Sequence, residues 1–457
     1  MTRTLEVDYL VVGAGAMGMA FTDSLVDHAA DVRVALVDRR HGVSGHWLAA
    51  YPFVRLHQSS AFYGVASTLL GGGQLQQRGP EKGLQERASQ PEICAYYAKV
   101  LDRLVDTGRV EFFPNSEYAG DRSFTSRVSG ERFEIGPGCR VVNARYLAPS
   151  IPAEKAAPFG VADDVRLIPV NELAQLDEAP SQYVVVGAGK TATDACIWLL
   201  ARGVAPDSIC WVRAREPWMY NRAHIQPDPA IFLGASADIV EAAVGAETLD
   251  EVMLRLEERD VVLRIDRTVT PTMAKTPTLA TWELDQLRTL ENVVRLGHLQ
   301  TVDRGRLTFG DASVAIHKDA LVVHCAADGL KYPGRVPVWR PDVITLQAIR
   351  AGFPSFGAAV TGYIEATRDD DDEKNRICSP SVYGNSLQEW AQMIVFGSRN
   401  AAAYTAEPDI KEWATGVALN PARTPPGYVP SQALDDATER LAKYGPPGIA
   451  RLAELMG

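Results

Sequence analysis

The chain lacks the paired cysteines of a redox-active dithiol or zinc protein. Its six cysteines are scattered, and no two form a C-x-x-C or C-x-x-x-x-C pair: Cys94, Cys139, Cys196, Cys210, Cys325 and Cys378. A dithiol oxidoreductase needs two neighbouring thiols, and a zinc site needs His and Cys ligands at short spacing. The sequence therefore disfavours both classes and predicts no metal site.

A long apolar run and an excess of positive charge are also missing. No segment reaches the length needed to span a bilayer, and the 457 residues carry 57 acidic against 46 basic side chains, a formal net charge of −11. This balance argues against binding to nucleic acid or to an anionic membrane surface. The apolar N-terminal stretch contains Glu6 and Asp8, which is not typical of a signal peptide. The sequence therefore predicts a cytoplasmic protein.

What the sequence does contain is a complete strand–turn–helix–strand unit over residues 8–38. The apolar run at 9–12 is typical of a buried parallel strand, and Gly13, Gly15 and Gly18 follow it as G-x-G-x-x-G. These glycines permit a tight turn, close approach of a pyrophosphate and close helix–strand packing, and the N–H groups that begin the helix face the phosphates. The unit predicts a dinucleotide site. The alternative is a plain βαβ crossover whose glycines serve packing only.

Asp38 ends the second strand of this unit, 20 residues after Gly18. An acid at this place binds a ribose hydroxyl of NAD or of the adenosine half of FAD.

A second unit of the same kind begins at Tyr183, and its glycine turn contains Gly187, Gly189 and Ala192 as G-x-G-x-x-A. This is an accepted variant of the dinucleotide pattern. Lys190 lies in the same turn, where it is a candidate for contact with a nucleotide phosphate, although a solvated lysine is nearly as good an interpretation.

The strand that closes the second unit ends in arginine instead of an acid. Arg213 takes the place that the acid holds in the first unit, and Arg215 follows it. An arginine here fits a 2′-phosphate and favours NADPH over NADH, whereas the alternative is a surface arginine at a strand end. Thr191, beside Lys190, is a further candidate for contact with NADPH.

Each unit is followed by short β-patterned runs and then by a further buried strand. We therefore predict an α/β fold with two Rossmann-like dinucleotide-binding domains, the second inserted into the first, each with a small β-meander. In the first meander the short strands are predicted at 110–113, 124–128 and 132–135. The predicted domains are 1–175 (FAD-binding domain, first part), 176–325 (NADPH-binding domain, with a largely helical insertion at about 217–297) and 326–457 (FAD-binding domain, second part, and C-terminal helices).

The first unit ends in an acid and the second in arginines, which implies that the two units bind different nucleotides. Together with S-G-H-W at 44–47 and Y-P-F-V-R-L-H at 51–57, this pattern resembles the two-dinucleotide-domain flavoprotein monooxygenases of the class B type, which include the flavin-containing and Baeyer–Villiger monooxygenases. In that family G-G-x-W follows the FAD acid, and Y-P-x-x-x-x-D/N comes next. Gly45 and Trp47 match the first motif, with Ser44 in place of its first glycine.

The second motif is matched by Tyr51, Pro52 and Arg55, and His57 stands where the family has an Asp or Asn beside the flavin ring. Two departures are evident. The family fingerprint F-x-G-x-x-x-H is only begun by Phe159 and Gly160, and A-A-D-G at 326–329 stands where A-T-G is usual.

The resemblance implies FAD and NADPH as cofactors and oxygenation of a small organic molecule by O₂ through a C4a-(hydro)peroxyflavin. Arg55 and His57 are its catalytic candidates, because a positive group near the flavin would stabilise the anionic species and a histidine can titrate near neutral pH. The alternative is that Arg55 binds the FAD pyrophosphate and His57 is a hydrogen-bonded wall residue. Arg39 and Gln58 are further candidates for contact with FAD, and Trp47 either lines the flavin or fills core.

Two other functions stay open at this stage. An NAD(P)H-dependent flavoprotein reductase or dehydrogenase would move electrons without inserting oxygen, and a nucleotide-binding sensor or scaffold would use the fold for binding alone. The sequence does not reveal the substrate, or whether oxygen is inserted at N, S or C. The oligomeric state also stays open, a homodimer included.

Overall fold

The computed structural model describes residues 2–327 and 330–457, so Asp328 and Gly329 of the 326–329 segment lie outside the described residues. The strands, in chain order, are β1 (Thr2–Leu5), β2 (Tyr9–Val12), β3 (Val34–Val37), β4 (Val110–Phe113), β5 (Ser116–Tyr118), β6 (Ser123–Ser126), β7 (Arg132–Ile135), β8 (Arg140–Asn143), β9 (Gly160–Val161), β10 (Arg166–Pro169), β11 (Tyr183–Val186), β12 (Ile209–Val212), β13 (Pro217–Asn221), β14 (Val262–Leu263), β15 (Met273–Leu279), β16 (Val293–Val294), β17 (Thr301–Asp303), β18 (Arg306–Phe309), β19 (Ala312–Ala315), β20 (Leu321–His324), β21 (Trp339–Arg340) and β22 (Val343–Thr345).

The α-helices are α1 (Ala16–His28), α2 (Gln90–Asp106), α3 (Lys190–Ala201), α4 (Pro229–Ala243), α5 (Leu249–Glu258), α6 (Thr281–Arg288), α7 (Pro354–Thr367), α8 (Asp371–Ile377), α9 (Leu387–Ala406), α10 (Pro408–Gly416) and α11 (Gln432–Leu455).

The first module is built on a six-stranded sheet of order β21-β22-β8-β2-β3-β4. Its strands are parallel except for the β21–β22 pair. Side chains of β2 alternate between two cores: Val11 packs toward the helices, whereas Leu10 and Val12 pack toward Phe124 and Phe133 of the meander. This alternation follows from the two-residue period of a strand and explains why the run 9–12 is uniformly apolar.

The meander of the first module has the order β1-β7-β6-β5. The prediction that 110–113 belongs to it was wrong, because this run forms β4 and pairs in parallel with β3, Val34 opposite Val110. The run predicted at 124–128 is observed as β6, and the one at 132–135 as β7.

The second module repeats the design. Its five-stranded sheet, β10-β20-β11-β12-β16, is parallel throughout, and its meander has the order β19-β18-β17-β9. Because β9 and β10 pair with strands of this module, it begins before the boundary at residue 176 that the sequence suggested.

The insertion at 217–297 carries helices, as predicted, and also strands that the sequence did not indicate. It contains a three-stranded sheet, β14-β13-β15, beside α4, α5 and α6, and its last strand, β16, joins the parallel sheet of the second module. Helix α11, from the end of the chain, packs on α4.

The predicted α/β fold is therefore confirmed: two Rossmann-like modules, each with a meander, the second lying between two parts of the first. Across the described residues, no helix has the combined length and apolarity to cross a membrane.

Candidate functional site

The first glycine turn has the backbone geometry that a dinucleotide site requires. Gly13 has a φ of +110°, in the left-handed region, and its N–H bonds the carbonyl oxygen of Val37 at 2.8 Å. A Cβ on Gly18 would overlap the carbonyl oxygen of Gly13, so only glycine lets α1 approach the turn this closely. Helix α1 begins at Ala16, and no side chain caps it within the described chain, which leaves its first N–H groups for a ligand.

Asp38 lies directly beneath this turn. Its carboxylate is 6% exposed and accepts hydrogen bonds from the backbone N–H of Ala14 at 2.7 Å and of Arg40 at 2.8 Å. A carboxylate has about four acceptor positions, so these two bonds fix its orientation and leave capacity for ribose hydroxyls.

The segment with Gly45 and Trp47 lies on the same turn. Gly45 has a φ of +58°, and a Cβ built on it would be 2.9 Å from the Cα of Gly15. Trp47 is 7% exposed and donates from Nε1 to the hydroxyl of Tyr63 at 2.6 Å. The structure thus brings together the glycine turn, the acid and the Gly45–Trp47 segment that the sequence singled out separately.

The two remaining predicted FAD contacts are placed differently from each other. Gln58 is buried, whereas the guanidinium of Arg39 is 45% exposed and pairs with Glu154 at 2.7 Å. Arg40 pairs with the other oxygen of Glu154 at 2.6 Å. These pairs tie the end of β3 to the segment that leads into the second module.

Arg145 was missed by the sequence analysis. It follows β8, and its Cγ lies 3.0 Å from the place that a Cβ on Gly13 would take. Its guanidinium stacks over Tyr118 at 5.8 Å and pairs with Glu117 at 3.6 Å. A signal was available, because ligands of parallel sheets bind at the carboxyl ends of the strands, and Arg145 is two residues beyond one such end.

The second glycine turn is open where a pyrophosphate would lie. Gly187 has a φ of +148°, and a Cβ on it would be 2.9 Å from the carbonyl oxygen of Cys325. Gly189 has nothing within 4 Å of its Cβ position, and Ala192 is completely buried on the inner face of α3. Helix α3 begins at Lys190, and no described side chain caps it.

Lys190 and Thr191 face the first module. The ammonium of Lys190 pairs with Asp194, one turn later on α3, and the other carboxylate oxygen of Asp194 accepts the Tyr51 hydroxyl proton at 2.7 Å. Burial and the charge of Asp194 raise the pKa of Tyr51 well above its ordinary value, so the phenol keeps its proton. Phe53 stacks on Trp198 at a centroid distance of 4.9 Å. Helix α3 therefore docks on the segment of the first module that carries the Y-P motif.

His57 lies at this junction, but not as a titrating group. Its Nδ1 accepts from the backbone N–H of Thr278 at 3.4 Å, and its carbonyl oxygen accepts from Arg222 Nε at 2.8 Å. Burial, together with the charges of Lys190, Arg222 and Arg87, lowers the pKa of His57 from 6.5 to about 3. The expectation that it titrates near neutral pH was wrong, because its surroundings disfavour the imidazolium.

Arg55, the other catalytic candidate, lies in a different environment from His57. Arg55 is exposed, pairs through its backbone with Ser89 and donates from Nη1 to the carbonyl oxygen of Arg87 at 2.9 Å. The cations that act on His57 are instead Lys190 and Arg222 of the second module and Arg87 of the first.

Beneath His57 lies a buried ionic network that joins the modules. Arg222 is completely buried and pairs with Glu81 and, at 2.7 Å, with Glu283. Arg87 pairs with Glu81 at 2.7 Å. Two cations thus face two carboxylates, which is the arrangement that buried charges require. No local pattern in the sequence indicates it.

The predicted 2′-phosphate arginines differ in exposure. Arg213 is 1% exposed, stacks over Trp211 at 4.4 Å and pairs with Glu216 at 2.7 Å. Its Nε and Nη1 are buried and have no hydrogen-bond acceptor within the described chain. Arg215 is exposed, with Nη1 3.4 Å from the side-chain oxygen of Asn385. Orphaned donors at a strand end fit an anionic group such as a phosphate.

Within residues 2–327 and 330–457, no group of three or more His, Cys, Asp or Glu residues is arranged to hold a metal ion.

Two solved structures resemble this fold over most of the chain. The polycyclic ketone monooxygenase of the thermophilic fungus Thermothelomyces thermophila aligns with a TM-score of 0.51 and 14% identity, covering 98% of this chain and 89% of its own. An ε-caprolactone-bound cyclohexanone monooxygenase aligns with a TM-score of 0.50 and 15% identity, covering 88% of this chain and 98% of its own. At such low identity the likeness establishes the fold alone.

No protein-family model matches the chain. Among proteins related in sequence, Rv2000 of Mycobacterium tuberculosis and Mb2023 of Mycobacterium bovis are each 40% identical over 422 residues, which span 92% of this chain and 78% of the relative. Both are described as uncharacterized proteins. The chain therefore belongs to the same family as these mycobacterial proteins.

Proposed function

We propose that the protein is an FAD-dependent, NADPH-consuming monooxygenase that oxygenates a small organic molecule. The observation that carries the proposal is the meeting of two complete dinucleotide turns at one junction, where Asp194 on α3 of the second module accepts a hydrogen bond from Tyr51 of the first. The likeness in fold to two ketone monooxygenases supports it.

FAD fits the first module. Gly13, Gly15 and Gly18 would hold its pyrophosphate, Asp38 its adenosine ribose, and the Gly45–Trp47 segment would cover it, while Arg145 adds a positive charge beside the turn. FAD would supply the acceptance of hydride and the activation of O₂, and the protein orients the reactants and excludes water.

NADPH fits the second module. Gly187 and Gly189 leave room for its pyrophosphate, and the N-terminus of α3 adds its N–H groups. Lys190 would exchange part of its bond with Asp194 for a phosphate oxygen. Arg215, which is exposed, is the arginine that a 2′-phosphate meets first.

The substrate would lie where aromatic side chains from three parts of the chain converge. Phe62 of the first module contacts Phe353 at a centroid distance of 5.0 Å and Phe232 of the insertion at 6.1 Å. All three rings are buried in the core, so they would form the apolar backing of a substrate site beside them, which suits an apolar molecule. His57, neutral and held by Thr278 and Arg222, would act as a hydrogen-bonding wall residue and not as a proton carrier. Lys190, whose charge acts on His57, is the candidate for a cation that stabilises a developing anion.

The test is anaerobic reduction of the purified protein with NADPH, followed by mixing with labelled dioxygen and a panel of ketones, thioethers and amines. We expect rapid flavin reduction, and labelled oxygen in one class of product, found by mass spectrometry. Reduction with every substrate followed by reoxidation without labelled product would favour the reductase or dehydrogenase. Absence of bound flavin, or flavin that NADPH never reduces, would contradict both and favour a sensor or scaffold.

A further inference from the structure

A cluster of four charged side chains lies at the carboxyl ends of β12 and β16, the neighbouring strands of the second sheet. One oxygen of Glu216 is shared by two guanidinium groups: Arg213 Nη2 and Arg295 Nε each lie 2.7 Å from Oε1. Arg295 also pairs with Asp266 at 2.8 Å. In dinucleotide-binding sheets, the end of the strand that corresponds to β12 is where the adenosine ribose lies.

Glu216 accepts hydrogen bonds from only some of the donors of the two arginines. Arg213 is buried, yet its Nε and Nη1 have no acceptor among the residues that the structure describes. A carboxylate brings two oxygens and one negative charge, whereas a phosphate monoester brings three acceptor oxygens and a charge of about −1.5 to −2. Glu216 and Asp266 together balance the charge of the two arginines, but neither reaches Nε or Nη1 of Arg213, so a phosphate, with its third oxygen, suits the donor set better than the carboxylates do.

Glu216 is also fixed in place. Its carbonyl oxygen accepts from the backbone N–H groups of Thr272 at 3.0 Å and Met273 at 3.2 Å, which ties its backbone to the start of β15. The carboxylate therefore stays close to any anion that binds the two arginines, and like charges at short distance repel.

We propose that Glu216 is an internal substitute for the 2′-phosphate of NADPH, holding Arg213 and Arg295 in the nucleotide-free protein and yielding them when the phosphate binds. Glu216 then sets the preference between NADPH and NADH, and Arg295 is an additional phosphate ligand. The inference rests on the proposed function, because it takes the second module as the NADPH site.

The test uses two fragments that differ in one phosphate, adenosine 2′,5′-bisphosphate and adenosine 5′-monophosphate, with affinities measured by titration calorimetry. In Glu216→Gln we expect about tenfold tighter binding of the bisphosphate, since a charged interaction of this size corresponds to about one decade, and unchanged binding of the monophosphate. In Arg295→Met we expect about tenfold weaker binding of the bisphosphate alone. Arg306→Met, on the exposed second meander, should change neither affinity and serves as the matched control.

The outcomes distinguish a failure of the proposed function from a failure of the role assigned to Glu216. If wild-type protein binds neither fragment, the proposed function fails and this inference fails with it. If it binds both fragments but Glu216→Gln and Arg295→Met leave their ratio unchanged, the inference alone is overturned. Should Glu216→Gln not fold because Arg213 loses its carboxylate, Arg295→Met, at a site that is 32% exposed, still tests the phosphate site, and an unchanged affinity for the bisphosphate would overturn the inference.

Discussion

His57 is neutral in the folded protein because it lies between buried backbone groups and cationic side chains. Its pKa is about 3 in the folded protein against 6.5 in an unfolded chain. Between these values the unfolded chain binds a proton that the folded protein does not, so stability falls as pH falls through this window. Replacing His57 by Gln removes the effect. We therefore expect wild-type protein to lose about 2 kcal/mol more unfolding free energy than His57→Gln between pH 7 and pH 5.

Urea unfolding at the two pH values measures this difference. His41→Gln, at an exposed position, controls for the loss of an imidazole from the surface. Equal losses in wild type and His57→Gln would show that His57 is protonated at pH 5 in the folded protein, and would restore it as a candidate proton carrier.

Gly18 and Gly189 differ in what a methyl group would meet, and this difference separates packing from ligand binding. A Cβ on Gly18 overlaps the Gly13 carbonyl, whereas one on Gly189 meets nothing within 4 Å. Gly189→Ala should therefore leave the unfolding free energy within about 0.5 kcal/mol of wild type and weaken NADPH binding about tenfold, because the pyrophosphate needs the space. Gly18→Ala should lower stability by about 1–3 kcal/mol. Unchanged NADPH affinity in Gly189→Ala would mean that the nucleotide does not cross this turn.

Helix α3 is one of the elements that link the modules, and its Asp194 accepts a hydrogen bond from Tyr51 of the first. Removing the Tyr51 hydroxyl leaves an oxygen of Asp194 without its buried donor, which costs about 1.5–3 kcal/mol for a bond to a charged group. We expect Tyr51→Phe to lose this much unfolding free energy in a denaturant titration. Tyr146→Phe, whose hydroxyl bonds the carbonyl of Gly334 at an exposed position, should lose less than half as much. Equal losses would assign α3 no special role in docking.

Among the secondary-structure elements, the sequence predicted those that depend on local periodicity. The strands at 9–12 and 183–186 and the helices after both glycine turns follow from apolar runs and glycine spacing. The sheet of the insertion was missed because Pro277 interrupts β15, and a proline argues against a strand. In the structure β15 is an edge strand, with a register shift opposite Met219 and Tyr220 that accommodates the interruption. Strand β4 was misassigned because choosing between two sheets depends on distant pairing.

At the level of the whole molecule, the least predictable part of the site is the network of Glu81, Arg87, Arg222 and Glu283. Glu81 and Arg222 are 141 residues apart in sequence. The residues around each of them would look the same whether the charge were solvated in a loop or buried in a network. The same separation in sequence hides Arg222 and Lys190 as the cations that surround His57. Fold class follows from repeated local patterns, whereas the electrostatics of the junction depends on how the two modules dock.

Glu81 tests whether this network holds the modules together. Burial alone raises the pKa of Glu81, but the charges of Arg222 and Arg87 outweigh it, and the pKa falls from 4.5 to about 2. A lowered acid pKa stabilises the fold above the unfolded value, and this stabilisation is lost as pH falls toward the folded value. We expect Glu81→Gln to cost about 3 kcal/mol of unfolding free energy at pH 7, and the gap to wild type to shrink by about 2 kcal/mol at pH 3.

Urea titrations at the two pH values supply the measurement. Glu251→Gln is the matched control, because Glu251 pairs with Arg255 at a partly exposed place on α5, and pairs near the surface are worth at most about 1 kcal/mol. Glu81→Gln should also speed proteolysis of the loop at 74–88, since Glu81 anchors that loop to Arg222 of the second module. A gap to wild type that is the same at pH 7 and pH 3 would mean that the charge of Glu81 does not stabilise the junction. Docking of the modules would then rest on α3 and its contacts with Tyr51 and Phe53.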